Sequence, residues 1–260
     1  MTHLVFMYHG LDPHDGRYDA LSDAEKSYVL SRETFAAHLD ALEQAGRHCM
    51  GADEVWGKEA VGETLLTFDD GWKSDYDVAF PLLRAKGVSA IFFITTDWVG
   101  TPGYVTWEQL REMADAGMGI GSHGKTHRFL STLTPLEQRL ELADSRKVLE
   151  EKLGREIRAL SLPGGRSNAD TLATARDCGY KTVFTSSPGL PVALGGLWMV
   201  GRIAMRPNWT AEKMRVFLDD PQRTLRRMYA TALVKRLAEK TLGAKRYDAV
   251  HRIFWRWKKR

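Results

Sequence analysis

Two aspartates stand side by side in Thr67-Phe68-Asp69-Asp70-Gly71. Adjacent carboxylates at the end of an apolar run cannot both be buried and charged cheaply, and a cation is the usual compensation. Asp-Asp-Gly is equally good turn chemistry, so the motif alone leaves both readings open. Ser122-His123-Gly124-Lys125-Thr126-His127 carries two histidines four residues apart. At that spacing two imidazoles can converge on one metal ion, or be unrelated core or surface residues. The combination is more specific. One carboxylate with two imidazoles is a ligand set for Zn²⁺ or another divalent ion and leaves positions open for water. The second aspartate is then free to act on that water. A third segment, Leu160-Ser161-Leu162-Pro163-Gly164-Gly165-Arg166, places a glycine-rich turn where backbone can approach a substrate closely.

The elements around these segments are read from periodicity. Apolar runs at Leu4–Tyr8, Thr64–Phe68, Ser89–Ile94, Ala159–Leu162, Thr182–Thr185 and Trp198–Met205 predict strands, and Gly119–His123 reads as a strand end. Helical spacing marks Phe35, Leu39 and Leu42, then Val78–Lys86, Trp107–Ala116, Pro135–Leu153 and Ala169–Asp177, most of them stopped by glycine. Alternating strands and helices predict a parallel α/β architecture, and pattern alone does not separate an open sheet from a barrel. Asp69-Asp70, His123 and Pro163-Gly164 all fall at C-terminal strand ends, the edge where such folds build their sites.

At these same motifs the chain resembles the NodB-homology polysaccharide deacetylases, the carbohydrate esterase family 4. That family carries Thr-Phe-Asp-Asp-Gly, then His-Ser/Thr-x-x-His, then Arg-x-Pro-Pro-x-Gly or Tyr-Pro-x-Gly. The likeness spans about residues 3–205, and Met7-Tyr8-His9 resembles the opening of a Met-Tyr-His subgroup. It implies a distorted (β/α)7-type barrel and metal-dependent removal of an N-acetyl group from an amino sugar. Carried over, Asp70, His123 and His127 hold one divalent ion, Zn²⁺ by its ligand types. Asp69 is the general base, and the N–H of Gly164 faces the oxyanion. Three departures stand out. Gly124 replaces Ser or Thr, and Ser161 replaces the third motif's Arg, with Arg166 as a nearby substitute. No histidine lies between His127 and His251, where the family has its late acid. His9, at the end of the first strand, is the expected replacement acid, with a structural histidine as the alternative.

Composition sets the outer bounds. The 260 residues are 43% hydrophobic and 27% charged, which excludes wholesale disorder. There is no run of 18 apolar residues and no signal-peptide pattern at the N-terminus, so a cytoplasmic protein, or one at the cytoplasmic membrane face, is expected. Cys49 and Cys178 cannot form a disulfide framework. Charge is uneven: residues 222–260 hold 13 Lys and Arg against Glu239 and Asp248, a net of +11, while the preceding 221 residues carry a net of −7. The expected division is a deacetylase barrel over 1–206 and a basic helical extension over 207–260. Tyr247, Val250, Phe254 and Trp257 share one helical face among basic residues, and Trp255 adds a second indole. This fits peripheral contact with an anionic membrane or packing on the body, and the lack of a base-reading module argues against nucleic acid. The expected substrate is an N-acetylated polysaccharide or lipid-linked glycan. The alternatives are an altered-site glycan-binding or assembly protein, and a deformylase or O-deacylase using the same site.

Overall fold

The computed structural model describes residues 3–16, 18, 19, 21–50 and 64–242. In chain order come β1 (Leu4–Tyr8), β2 (Leu11–Asp12), α1 (Asp23–Lys26), β3 (Leu30–Ser31), α2 (Arg32–Gln44) and β4 (Thr64–Asp70). A π-helical turn over Asp75–Ala79 leads into α3 (Phe80–Ala85), and β5 (Ile91–Ile94), α4 (Trp107–Asp115) and β6 (Gly119–Ser122) follow. Then come α5 (Pro135–Leu153), β7 (Ala159–Ser161), α6 (Ala169–Asp177) and β8 (Thr182–Phe184). The last elements are β9 (Val192–Leu194), β10 (Leu197–Val200), β11 (Ile203–Ala204), α7 (Ala211–Asp219) and α8 (Pro221–Leu242).

The main sheet runs β11-β1-β4-β5-β6-β7-β8-β10-β9, parallel except where β9 pairs with β10. Its two ends meet in one stretch of chain. β10 pairs with β8 through Val200↔Phe184, and β11 pairs with β1 through Phe6↔Ile203. Only Gly201 and Arg202 separate them. The expected single strand Trp198–Met205 is therefore split, because each half serves a different neighbour. The sheet curls onto itself with seven strand positions, the α/β barrel that the resemblance implies. Gly201 is required at the seam: a Cβ there would stand 2.2 Å from the backbone nitrogen of Gly189.

Alternation along the strands fills the barrel. Val5, Leu65, Ile91, Phe93, Ala159, Phe184 and Val200 form one buried cluster contributed by six strands. On β6, Gly121 gives its place to the Phe93 ring, which a Cβ would approach to 2.5 Å. The period of two that turns Leu65 inward also turns Thr67 and Asp69 inward. Outside the sheet, the helices start on side-chain caps. Thr106, Thr134 and Asn168 each accept a hydrogen bond from the backbone N–H three residues on, which fixes α4, α5 and α6 at their N-termini.

Contacts divide the chain into two units, Met1–Asp219 and Asp220–Arg260. The first extends past residue 206 because α7 packs on the body. Phe217 meets Phe6 edge-on at 6.0 Å, and the Trp209 carbonyl lies 2.7 Å from His38 Nε2. In the second unit α8 runs 22 residues. The expected amphipathic face at Tyr247–Trp257 lies outside the described residues. No described helix is long and apolar enough to cross a membrane.

Candidate active site

β4 delivers the paired aspartates in two directions. Asp69 continues the inward face and is 2% exposed. At Asp70 the strand ends with φ at 83°, a left-handed conformation that costs a non-glycine residue energy and turns this carboxylate onto the barrel's upper edge. Trp72 Nε1 donates to Asp70 Oδ2 at 3.0 Å. Asp70 Oδ1 is buried without a hydrogen-bond partner among the described residues. It is faced by His123 Nε2 and by His127 Nε2, each at 3.3 Å.

The histidines are fixed separately. His123 follows β6, and its Nδ1 lies 2.9 Å from the Ser161 carbonyl oxygen. A carbonyl only accepts, so Nδ1 carries the proton and the lone pair of Nε2 points towards Asp70. His127 sits at φ 64° and stacks on Trp98 with centroids 5.0 Å apart. Between them the buried Glu141 of α5 accepts from the backbone N–H groups of Lys125 and Thr126 at 3.0 and 2.8 Å. Gly124, where the family has Ser or Thr, takes φ 81° to make this turn. A Cβ there would meet Glu141 and Pro163 at 3.5 and 3.7 Å.

Asp70, His123 and His127 place one ligand atom each within 4.8 Å of one another. An orphaned carboxylate oxygen facing two imidazole nitrogens, one with its tautomer set, is a donor set that fits a divalent ion. Burial opposes ionisation of Asp70, but the two imidazoles outweigh it and hold the carboxyl well below its ordinary range. For His123, burial lowers the pKa while Asp69 and Asp70 raise it, and the net shift is upward.

Asp69 is held differently. Arg202, fully buried at the barrel seam, clasps it in a fork, Nη1 to Oδ1 and Nη2 to Oδ2, each 2.7 Å. Its remaining donors go to the Thr185 carbonyl, Thr67 Oγ1 and Ser161 Oγ at 3.0, 3.1 and 2.8 Å. Every N–H of the guanidinium therefore has an acceptor. Ser161 Oγ in turn donates to Asp69 Oδ2 at 3.2 Å. Burial is the largest influence and raises the Asp69 pKa, but Arg202, His123 and His9 together outweigh it and keep the carboxyl below its usual value.

The expectation for Arg166 is corrected here. Its guanidinium lies 4.8 Å over the exposed Phe129 ring, and the partner of Asp69 is Arg202. An arginine interrupting the apolar run Trp198–Met205 was the available signal. His9, two residues beyond the inward-facing Met7, comes to the same edge. Its ring packs on Tyr28 at 4.7 Å, and Nδ1 is buried with no partner among the described residues. Burial is the largest influence on His9 and lowers its pKa against the pull of Asp70 and Asp69. Gly164 follows Pro163 in a 3₁₀ turn at φ 62°, on the exposed side, where a Cβ would strike Phe129 at 2.6 Å.

An α/β barrel with this Asp-His-His set and an arginine-clasped second aspartate on its C-terminal edge defines a NodB-type hydrolase. A family model described as polysaccharide deacetylase matches residues 57–183. YxkH of Bacillus subtilis (strain 168), named for the same family, is 30% identical over 208 residues, covering 78% of this chain and 74% of its own. The poly-beta-1,6-N-acetyl-D-glucosamine N-deacetylase of Staphylococcus epidermidis is 24% identical over 207 residues, covering 70% and 71%. The Streptococcus pyogenes deacetylase PplD, solved in complex with acetate, superposes with a TM-score of 0.71 at 27% identity, over 82% of this chain and 96% of that one. The chain belongs to the polysaccharide deacetylase family, hydrolases acting on carbon–nitrogen bonds.

Proposed function

We propose that this protein removes the acetyl group from an N-acetylated amino sugar within a glycan, using one divalent ion, Zn²⁺, held by Asp70, His123 and His127. The observation that carries the reading is the pairing of that ligand set with a second carboxylate locked 4.0 Å from His123 Nε2. The substrate class follows the relative named for poly-beta-1,6-N-acetyl-D-glucosamine. When bound, the ion supplies Lewis-acid polarisation and a water of lowered pKa.

The chain's own groups supply the rest. Asp69, ionised at neutral pH, takes the proton of the attacking water. Arg202 and Ser161 keep its carboxylate plane fixed while it does so. The Gly164 N–H donates to the oxygen of the acetamide as charge gathers there, and the absence of a side chain leaves that approach open. His9, neutral when the site is at rest, takes up the proton that Asp69 removed from the water and passes it to the departing amine. Arg166 over Phe129 lines the rim along which a sugar chain can lie. The altered-site alternative rested on a missing motif arginine and a missing late histidine. The Arg202 fork on Asp69 and the unpartnered Nδ1 of His9 support the reading as an active enzyme.

The test measures metal content and acetate release together on a panel of N-acetylglucosamine oligomers and one O-acetylated ester. His123→Ala is expected to lose most bound metal and all turnover. Asp69→Asn should keep the metal and lose turnover by about 10²-fold or more. Full metal content in His123→Ala, or near-normal turnover in Asp69→Asn, refutes the assignment. Preferential release from the ester points to O-deacylation.

A further inference from the structure

Arg206 has a setting that the chemistry above leaves unused. It follows β11, which pairs with β1 through Met7↔Ala204, and the Met205 N–H bonds the Met7 carbonyl at 2.9 Å. Two residues beyond that pair in each strand stand His9 and Arg206, side by side on the active edge. The guanidinium of Arg206 lies 4.1 Å over the Tyr28 ring, and that same ring packs on His9. Nη2 donates to Tyr28 Oη at 2.6 Å and Nη1 to Ser27 Oγ at 3.3 Å. Both acceptors are neutral.

No described carboxylate lies within ion-pair distance of Arg206. More exposed arginines, such as Arg111, Arg128 and Arg155, each hold one at 2.9, 3.1 and 2.6 Å. This half-buried guanidinium has exchanged part of its hydration for a ring face and two neutral hydroxyls, with no counter-charge among the described residues, and an anion would complete its coordination. The ring beneath and the two hydroxyls fix the plane of its fork, so its unspent N–H groups present bidentate geometry suited to a carboxylate or phosphate.

We propose that Arg206 is an anion-binding subsite, and that the preferred substrate carries an anionic substituent on a sugar next to the acetamido residue. This rests on the deacetylase reading for what happens at the neighbouring site, but not for the binding itself.

The test uses the full chain and calorimetric titration with a hexamer alternating N-acetylglucosamine and glucuronic acid, its carboxyl-reduced neutral form, and a neutral hexamer bearing one phosphomonoester. The wild type should bind the acidic hexamer about ten-fold more tightly than the neutral one, the scale of a charge-assisted pair. In Arg206→Gln the two should bind alike, and Arg206→Lys should retain part of the gap because it keeps the charge without the fork. Tighter binding of the phosphorylated or of the carboxylated hexamer identifies which anion the site takes. Equal wild-type affinity for charged and neutral hexamers, or a gap that persists in Arg206→Gln, overturns the proposal. Acetate release from each hexamer is scored separately. A charge preference without any release would refute the deacetylase reading and leave the subsite standing.

Discussion

Replacing Arg202 by methionine removes the fork while filling most of its volume. Asp69 would then sit 2% exposed, hydrogen-bonded by Ser161 Oγ at 3.2 Å and with His123 Nε2 4.0 Å away, but without its paired cation. Deleting one partner of a buried pair costs about 3–5 kcal/mol, because the remaining charge has neither water nor counter-ion. For a body of this size that lowers Tm by about 6–20 °C. The pH dependence has a definite sign. Asp69 has a depressed pKa in the fold, so the pair's contribution is fully present above the unfolded value of about 3.9 and fades as pH falls through the folded value. The gap between wild type and Arg202→Met should therefore be widest near neutrality and close towards acid. Turnover should fall by about 10²-fold or more, since the base loses both its orientation and its low pKa. Asp69→Asn with Arg202→Met leaves no carboxylate to strand, and should recover part of the stability with none of the activity. Thermal melts of the wild type and both variants from pH 8 down to below pH 3, alongside acetate release, settle the matter. A single variant within about 1 kcal/mol of wild type, or one with ordinary turnover, would refute the reasoning.

Three further outcomes are expected. His9→Ala should slow amide hydrolysis more than hydrolysis of an activated aryl ester, since only the amine needs a proton to leave; equal losses would point to a structural histidine. Asp75 is fully buried, with burial and then the charges of Asp70 and Asp69 pushing its pKa well up. Because the unfolded chain releases this proton more readily than the folded one, stability falls by up to about 1.4 kcal/mol per pH unit above the unfolded pKa. Asp75→Asn should thus raise Tm at pH 8 more than at pH 5, and a pH-independent difference would be evidence against it. Truncation before Pro221 should abolish salt-sensitive binding to anionic vesicles, to which each engaged basic residue contributes about 1 kcal/mol. If the extension packs on the body instead, the full chain will ignore vesicles and the truncated chain will be poorly soluble.

Asp70, His123 and His127 were legible because metal-ligand side chains recur at short spacing and at strand ends, where local pattern suffices. β1, β4 and β5 were legible because their apolar runs are bounded by turn residues. The π-helical turn at Asp75–Ala79 was not, since nothing in Val78–Lys86 distinguishes a widened first turn from a loop. Arg202 was missed for a different reason. It meets Asp69 across 133 residues of sequence, a contact that only barrel closure creates. Proximity to the glycine-rich turn drew attention to Arg166, yet the chain leaves Ser161 through Pro163 and two left-handed glycines, Gly164 and Gly165, and Arg166 ends over Phe129 on the rim.

Ser161 and Arg202 are best understood together. The resemblance places an arginine at the position of Ser161, on β7, from which a guanidinium would reach the base directly. Here that position holds a small, fully buried hydroxyl, and the vacated volume is filled by a guanidinium arriving from the seam between β10 and β11. Ser161 has become the bridge, accepting from Arg202 Nη2 and donating to Asp69 Oδ2. The exchange keeps one cation against Asp69 but changes what the contact is coupled to. An arginine on β7 would be anchored within a single central strand. Arg202 is anchored where β10 leaves β8 and β11 joins β1, with its own backbone N–H on the Ser187 carbonyl at 3.1 Å. Arg202 reaches Asp69 only from that seam, so the pairing that closes the sheet is also what brings the base its counter-charge.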